Sequence, residues 1–257
     1  MRGESDVRNS GKSGSQTLYE VSSAYTVSDQ EIMTEAKNYF RWQYDIVEPY
    51  LGTRVVEIGC GIGNFTDLLK QRPLQILGLD IDENCIRAHN QRFGGLDRIE
   101  ARQFDALGGD VREVIPFAAD TIVCLNVLEH ISDDVAALRS MWSILQPGGK
   151  ACLIVPAFEA LRGPIDEHLG HYRRYTKRSL SHAATEAGFG VHEIRYMNIV
   201  GMAGWWLNAR VLKREAQSKA QVALFDSLVV PVLSRLEAIA APPIGQNVFA
   251  VLEKPRS

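Results

Sequence analysis

Residues 55–69, VVEIGCGIGNFTDLL, run an apolar strand straight into three closely spaced glycines and then into the start of a helix. No other segment constrains the fold as tightly. Gly59, Gly61 and Gly63 stand at alternate positions, where only glycine lets the backbone turn sharply and approach a ligand closely. The helix that follows offers unpaired N–H groups in its first turn, which suits a small polar group. A dinucleotide fingerprint would place its third glycine at position 64, which is Asn64, so the spacing opposes a nicotinamide cofactor.

Around this segment, short apolar runs alternate with helical stretches. Strands are predicted over 54–58, 75–79, 99–104, 121–125 and 151–155, and helices over 64–71, 84–93 and 133–145, the last ending at Pro147-Gly148-Gly149. Such alternation predicts a parallel sheet covered on both faces. Ahead of it, apolar residues at helical spacing (Ile32, Ala36, Tyr39, Phe40, Ile46, Val47) predict a leading helix over 29–50, stopped by Pro49 and Gly52. Beyond Pro156 comes a polar stretch, then a helix over 177–187 with Thr176 as N-cap and Gly188 as stop, and a sixth strand over 189–197. A helical block over 199–240, its second part kinked near Pro231, precedes a final strand over 246–253.

The 257 residues allow one large domain or two small ones. The strand pattern favours a flexible tail over 1–17 and a single domain over 18–257, with 55–156 as its ligand-binding core, 157–178 as a substrate loop and 199–241 as an inserted helical lid. A net charge of −3 argues against a nucleic-acid partner. Cys60, Cys85, Cys124 and Cys152 form no C-x-x-C pair, so they read as reduced thiols of a cytoplasmic protein, not as a zinc or redox motif. The first sixteen residues hold no apolar run of the kind a secretory signal needs, and no 18-residue apolar stretch predicts a transmembrane helix.

The run Glu57-Ile-Gly59-Cys-Gly61-Ile-Gly63 resembles the (D/E)-x-G-x-G-x-G motif of class I S-adenosylmethionine (SAM)-dependent methyltransferases, in particular bacterial members of the methyltransferase-11/12/23-like group. LGLDIDE, RQFDAL, DTIVCLNVLEHISD and LQPGGKACLIVP follow in that family's order. The resemblance implies a Rossmann-like, doubly wound, seven-stranded and mostly parallel sheet, with a helical insertion before the last strand, and SAM as cofactor. It also implies that Glu57, Gly59, Cys60, Gly61 and Gly63 surround the cofactor, that Asp80 and Ile81 meet the ribose, that Asp105 and Ala106 meet the adenine, and that Asn126 and Leu128 flank the ligand. Asp82 is expected to be solvated.

Two clusters fall where an acceptor would lie: N126-V-L-E129-H130 and D166-E-H168-L-G-H171-Y-R-R-Y-T176. They are similar to those of ubiquinone-pathway O-methyltransferases and small-RNA 3′-terminal 2′-O-methyltransferases, in which a Glu-x-x-Glu-His run and a later histidine hold a divalent cation. Here Asn126, a neutral and weaker ligand, replaces the first glutamate, so no metal is assigned and Glu129, His130 and His171 remain as the candidate set. Without a metal, His171 or His130 is a candidate general base, the alternative being that both brace the loop. His89, His182 and His192 receive no functional role.

Tyr172, Arg173 and Arg174, with Lys177 and Arg178 beside them, read either as a recognition cluster for an acceptor phosphate or carboxylate or as a solvated helix start. Trp205 and Trp206 have three readings: core, an apolar acceptor pocket, or a membrane-interface contact. The expectation is methyl transfer to an oxygen of a small sugar, lipid-linked or quinone-like acceptor. C- or N-methylation of a natural-product intermediate and a catalytically silent SAM-binding protein are the alternatives. Contact with a membrane surface and homodimer formation stay open.

Overall fold

The computed structural model describes residues 27–106, 108–207 and 219–256. The expected tail over 1–17 lies outside the described residues, as do positions 208–218 of the insertion. In chain order the elements are α1 (Val27–Met33), α2 (Lys37–Val47), β1 (Arg54–Ile58), α3 (Thr66–Leu69), β2 (Gln75–Asp80), α4 (Glu83–Phe93), β3 (Ile99–Gln103), β4 (Ala119–Leu125), α5 (Asp134–Ile144) and β5 (Leu145–Pro156). There follow α6 (Pro164–His168), α7 (Lys177–Glu186), β6 (Gly190–Met197), α8 (Ile199–Leu207), α9 (Lys219–Leu228), α10 (Val230–Ile239) and β7 (Asn247–Glu253).

All seven strands join one sheet in the order β3-β2-β1-β4-β5-β7-β6. β1 to β5 pair in parallel, whereas β7 runs antiparallel to both β5 and β6. Strand residues alternate between two cores, one on each face. Along β5, Ala151, Leu153 and Val155 enter one core while Cys152 and Ile154 enter the other. Along β7, Val248, Ala250 and Leu252 face the first, and Phe249 and Val251 the second. That two-sided burial is why these strands read as unbroken apolar runs. α5 and α7 cover the first face; α2, α3 and α10 cover the second.

Several boundaries differ from the sequence reading, each for a physical reason. The leading helix is broken at 34–36 because the buried carboxylate of Asp226, in α9, caps a fresh helix start: it accepts from Tyr39 N at 2.8 Å and Asn38 N at 3.0 Å. Such a cap is worth about 1 kcal/mol. The helix expected over 64–71 is reduced to the single turn Thr66–Leu69, since the N–H groups of Gln71 and Arg72 reach back only three residues before Pro73. β5 starts earlier than expected, at Leu145 opposite Ala119, and the turn around Gly148 (φ +79°) bulges out before pairing resumes at Lys150. Asp82, expected to be solvated, caps α4 by accepting from Asn84 N. The kink near Pro231 is a break between α9 and α10, with the proline in the first turn of α10, where its missing N–H costs nothing. All four cysteines are buried and free, and no described helix is long and apolar enough to cross a membrane.

Candidate active site

The glycine-rich loop leaves the carboxyl end of β1, the end at which open α/β sheets bind ligands. Gly59, Gly61 and Gly63 all hold positive φ (+73°, +52° and +85°), so the alternate glycines meet a conformational demand of the backbone. Space makes the same demand. A Cβ on Gly61 would run into the carboxamide of Gln30, and one on Gly59 into the side chain of Val127. The second contact places the loop against the segment that follows β4.

Asp80, at the end of β2, lies under the loop and accepts from Gly61 N at 2.8 Å and from Asp82 N at 2.9 Å. Burial raises its pKa, with those N–H donors opposing the rise. Each carboxylate oxygen keeps a lone pair beyond its backbone contact, as recognition of a diol requires. Glu57 points elsewhere. It is buried in the joint between β1 and α3, accepting from Thr66 Oγ1 at 2.6 Å, and Thr66 in turn sits 3.1 Å from His89 Nε2. Burial lifts the Glu57 carboxyl to about 8, with Thr66 opposing and Asp80 adding to the rise. Burial lowers His89 to about 4, so this histidine is a neutral core residue.

Cys60 is buried with its thiol pKa raised by burial, while Ile81 is 40% exposed just beyond β2. Asp105 forms the turn after β3, its carbonyl accepting from Gly109 N at 2.8 Å, and Ala106 packs against the core. Leu128 is fully buried, so its side chain serves the core. Asn126 takes a left-handed turn (φ +55°), a conformation asparagine tolerates, and its carboxamide accepts from Asn247 Nδ2 at 3.4 Å.

The second cluster comes together from two loops. Glu129, His130 and His171 each offer a ligand atom, all within 4.8 Å of one another, and the two imidazole rings meet edge to face at 4.6 Å. Behind them stands Asp166. It pairs with His171 Nδ1 at 2.8 Å, Arg174 Nε at 2.8 Å and Gly163 N at 3.0 Å. Burial alone would raise Asp166, but His171 and Arg174 outweigh it and hold the carboxyl at about 2. An ionised Asp166 therefore accepts from His171 Nδ1–H and leaves the lone pair on Nε2. Burial, aided by the neighbouring His171, lowers His130 to about 4. Burial raises Glu129 to about 7, opposed by His171, and its Oε2 is buried with no hydrogen-bond partner among the described residues.

The basic cluster disperses on folding. Arg174, expected to face an anion on the acceptor, is turned inward: it is 6% exposed, bound to Asp166, donating to the Ala157 carbonyl at 2.8 Å and lying over the Trp205 ring at 4.9 Å. A buried carboxylate attracts it more strongly than solvent does. Arg173 pairs with Asp134 at 3.0 Å and donates to the Ser132 carbonyl, bracing the loop after β4. Tyr172 remains exposed, and its N–H donates to the Glu129 carbonyl at 2.8 Å. Trp205 is half-buried beside Arg174 with its Nε1 unpartnered among the described residues, whereas Trp206 is exposed.

Two polar residues at the site had not been singled out. Asp166 was visible in the second cluster but carried no role, although its five-residue lead over His171 is the only local signal it gives. Gln30 accepts from Ile62 N at 2.9 Å, and its own carbonyl accepts from Asn64 Nδ2 at 3.0 Å. No local pattern announces a contact across more than thirty residues.

Comparison with known proteins follows this geometry. A family model described as "Methyltransferase domain" matches residues 31–194, well over half of the chain. A ubiquinone biosynthesis O-methyltransferase of Pseudomonas entomophila is 31% identical over 101 residues, covering 38% of this chain and 42% of that protein. The match thus spans less than half the length of this relative. Among solved structures, a chain of the "Complex between the Haloferax volcanii Trm112 methyltransferase activator and the putative methyltransferase" superposes with a TM-score of 0.64 at 15% identity, covering 93% of this chain and 99% of its own. The Haemonchus contortus phosphoethanolamine N-methyltransferase 2, solved with SAM, gives a TM-score of 0.59 at 18% identity, covering 91% of this chain and 58% of its own. With its glycine loop, acidic β2 terminus and seven-stranded sheet, the chain belongs to the class I SAM-dependent methyltransferases and uses SAM as cofactor.

Proposed function

We propose that this protein methylates an oxygen of a small sugar, lipid-linked or quinone-like acceptor, working as a single domain over 18–257 with Gly59, Gly61, Gly63, Asp80 and Asp105 at the cofactor. The observation that carries the reading is the buried cluster after β4 and β5: Glu129 Oε2 has no hydrogen-bond partner among the described residues, beside a His171 that Asp166 orients. The match to ubiquinone biosynthesis O-methyltransferases favours the same acceptor class.

Bound SAM supplies a methyl group activated by its sulfonium. The chain's own residues then have three tasks. His171, oriented by Asp166, takes the acceptor hydroxyl proton at Nε2, and the Asp166 carboxylate stabilises the imidazolium that forms. His130, held near 4, is too weak a base for that proton at pH 7 and serves as a neutral neighbour. Val127, against the glycine loop, narrows the space beside the cofactor.

A second reading has an observation of its own. Glu129, His130 and His171 have their ligand atoms close enough to hold a divalent cation, which would position and acidify the acceptor hydroxyl. Activity unchanged by EDTA removes this reading and leaves the general base.

The experiment for the proposal is incubation of the full chain and methyl-labelled SAM with an extract of its source, followed by untargeted mass spectrometry. A labelled O-methyl product is expected. Label on carbon or nitrogen overturns the oxygen assignment, and tight SAM binding with no product from any extract overturns catalysis itself.

A further inference from the structure

The inserted helices carry an apolar face that nothing in the described structure covers. Leu224 and Leu228 in α9, and Val232, Leu236 and Ile239 in α10, are all exposed, Leu228 at 65% and Ile239 at 86%. Their spacing of four, four, four and three residues lines them along one side of the two successive helices. The opposite side is fully used. Val230 and Leu233 enter the core, and the two acids of these helices, Asp226 and Glu237, are buried as caps. Asp226 caps α2, and Glu237 accepts from Asn198 N at 2.9 Å and Ile199 N at 3.0 Å at the start of α8.

This arrangement fixes the charge of the outward side. With both acids turned inward, the exposed charged residues of α9 and α10 are Lys219 and Arg235. Val200, Trp206 and Leu207 of α8 are exposed on the same insertion. An apolar stripe flanked by Lys219 and Arg235, on helices whose own two acids are turned inward, complements an anionic lipid surface.

We propose that α9 and α10 form a docking face that lies in the plane of an anionic bilayer and buries this stripe among the lipid chains. Docking needs no methyl transfer, so it stands or falls separately from the acceptor assignment.

Flotation of the full chain with vesicles of phosphatidylglycerol and phosphatidylcholine, or of phosphatidylcholine alone, tests the proposal. Binding to the anionic vesicles, weakening as salt rises, is expected. Leu228→Ser with Leu236→Ser should lower the partition coefficient by roughly tenfold or more, since each leucine gives up most of its transfer free energy. Lys219→Gln with Arg235→Gln should lower it several-fold on anionic vesicles only. These positions are exposed, and unchanged circular dichroism and SAM affinity in the variants confirm that the fold is intact. No flotation, equal flotation on neutral and anionic vesicles, or wild-type flotation by the leucine variant overturns the proposal. So does a dimer in analytical ultracentrifugation that the leucine variant dissociates, since it assigns the face to a second copy.

Discussion

The glycine loop and the histidine cluster lie at the same edge of one sheet but are built in opposite ways. The loop is backbone. Its shape follows from three positive-φ glycines within five residues, and its acid, Asp80, arrives from the adjacent strand. The histidine cluster is made of side chains, drawn from the segments after β4 and β5 and held by a buried carboxylate and a buried guanidinium. A backbone site tolerates side-chain change except at the glycines and at the acid beneath them. A side-chain site fails when any charged member loses its partner.

The sharpest way to separate the two regions is His171→Ala. Turnover should fall by about 10²- to 10⁴-fold, the usual contribution of a general base, while SAM affinity by calorimetry stays near wild type. Wild-type turnover would reduce His171 to a loop brace. Arg174→Ala should come next: stripping Asp166 of its buried partner should cost about 3 kcal/mol in urea unfolding. Arg174→Lys should recover only part of this, because a single ammonium cannot serve both Asp166 and the Ala157 carbonyl as the fork does. A loss no larger than that of a surface pair would break the claim that buried charge holds this region together.

On the other side of the comparison, Asp80→Ala should weaken SAM binding roughly tenfold through loss of a charged acceptor. Unchanged affinity would remove Asp80 from the ribose. The smallest effect is on pH dependence. Glu57, raised to about 8, binds its proton more tightly folded than unfolded, so its contribution to stability falls as pH rises from its ordinary value toward 8. His89 and His130, lowered to about 4, act in the opposite direction, but only below about pH 6.5. Thermal midpoints should therefore decline between pH 6.5 and 8, and Glu57→Gln should flatten that decline. An unchanged slope would show that Glu57 is ionised in its buried joint.

The two regions also differed in how far the sequence disclosed them. β1 to β5 and the loop were legible because their signals are local: apolar runs buried on both faces, and glycines at the positions where φ must be positive. Thr176 as the cap of α7 was legible for the same reason. Arg174 was misjudged because a run of cations at a helix start looks solvated or ligand-seeking until an acid is folded beneath it. The broken leading helix was hidden because its cap, Asp226, stands nearly 190 residues further along the chain.

The sequence by itself determined the order of strands and helices, the glycine turn and the family, since each rests on dihedral preference and on burial patterns within a few residues. Only the tertiary structure decided which charges are buried and paired. That choice turned Arg174 inward to Asp166, left Glu129 Oε2 without a partner among the described residues, and used Asp226 and Glu237 as helix caps while Lys219 and Arg235 remained outside. The physical reason is desolvation: a charge can leave water only where a partner from elsewhere in the chain meets it, and that meeting has no local signature.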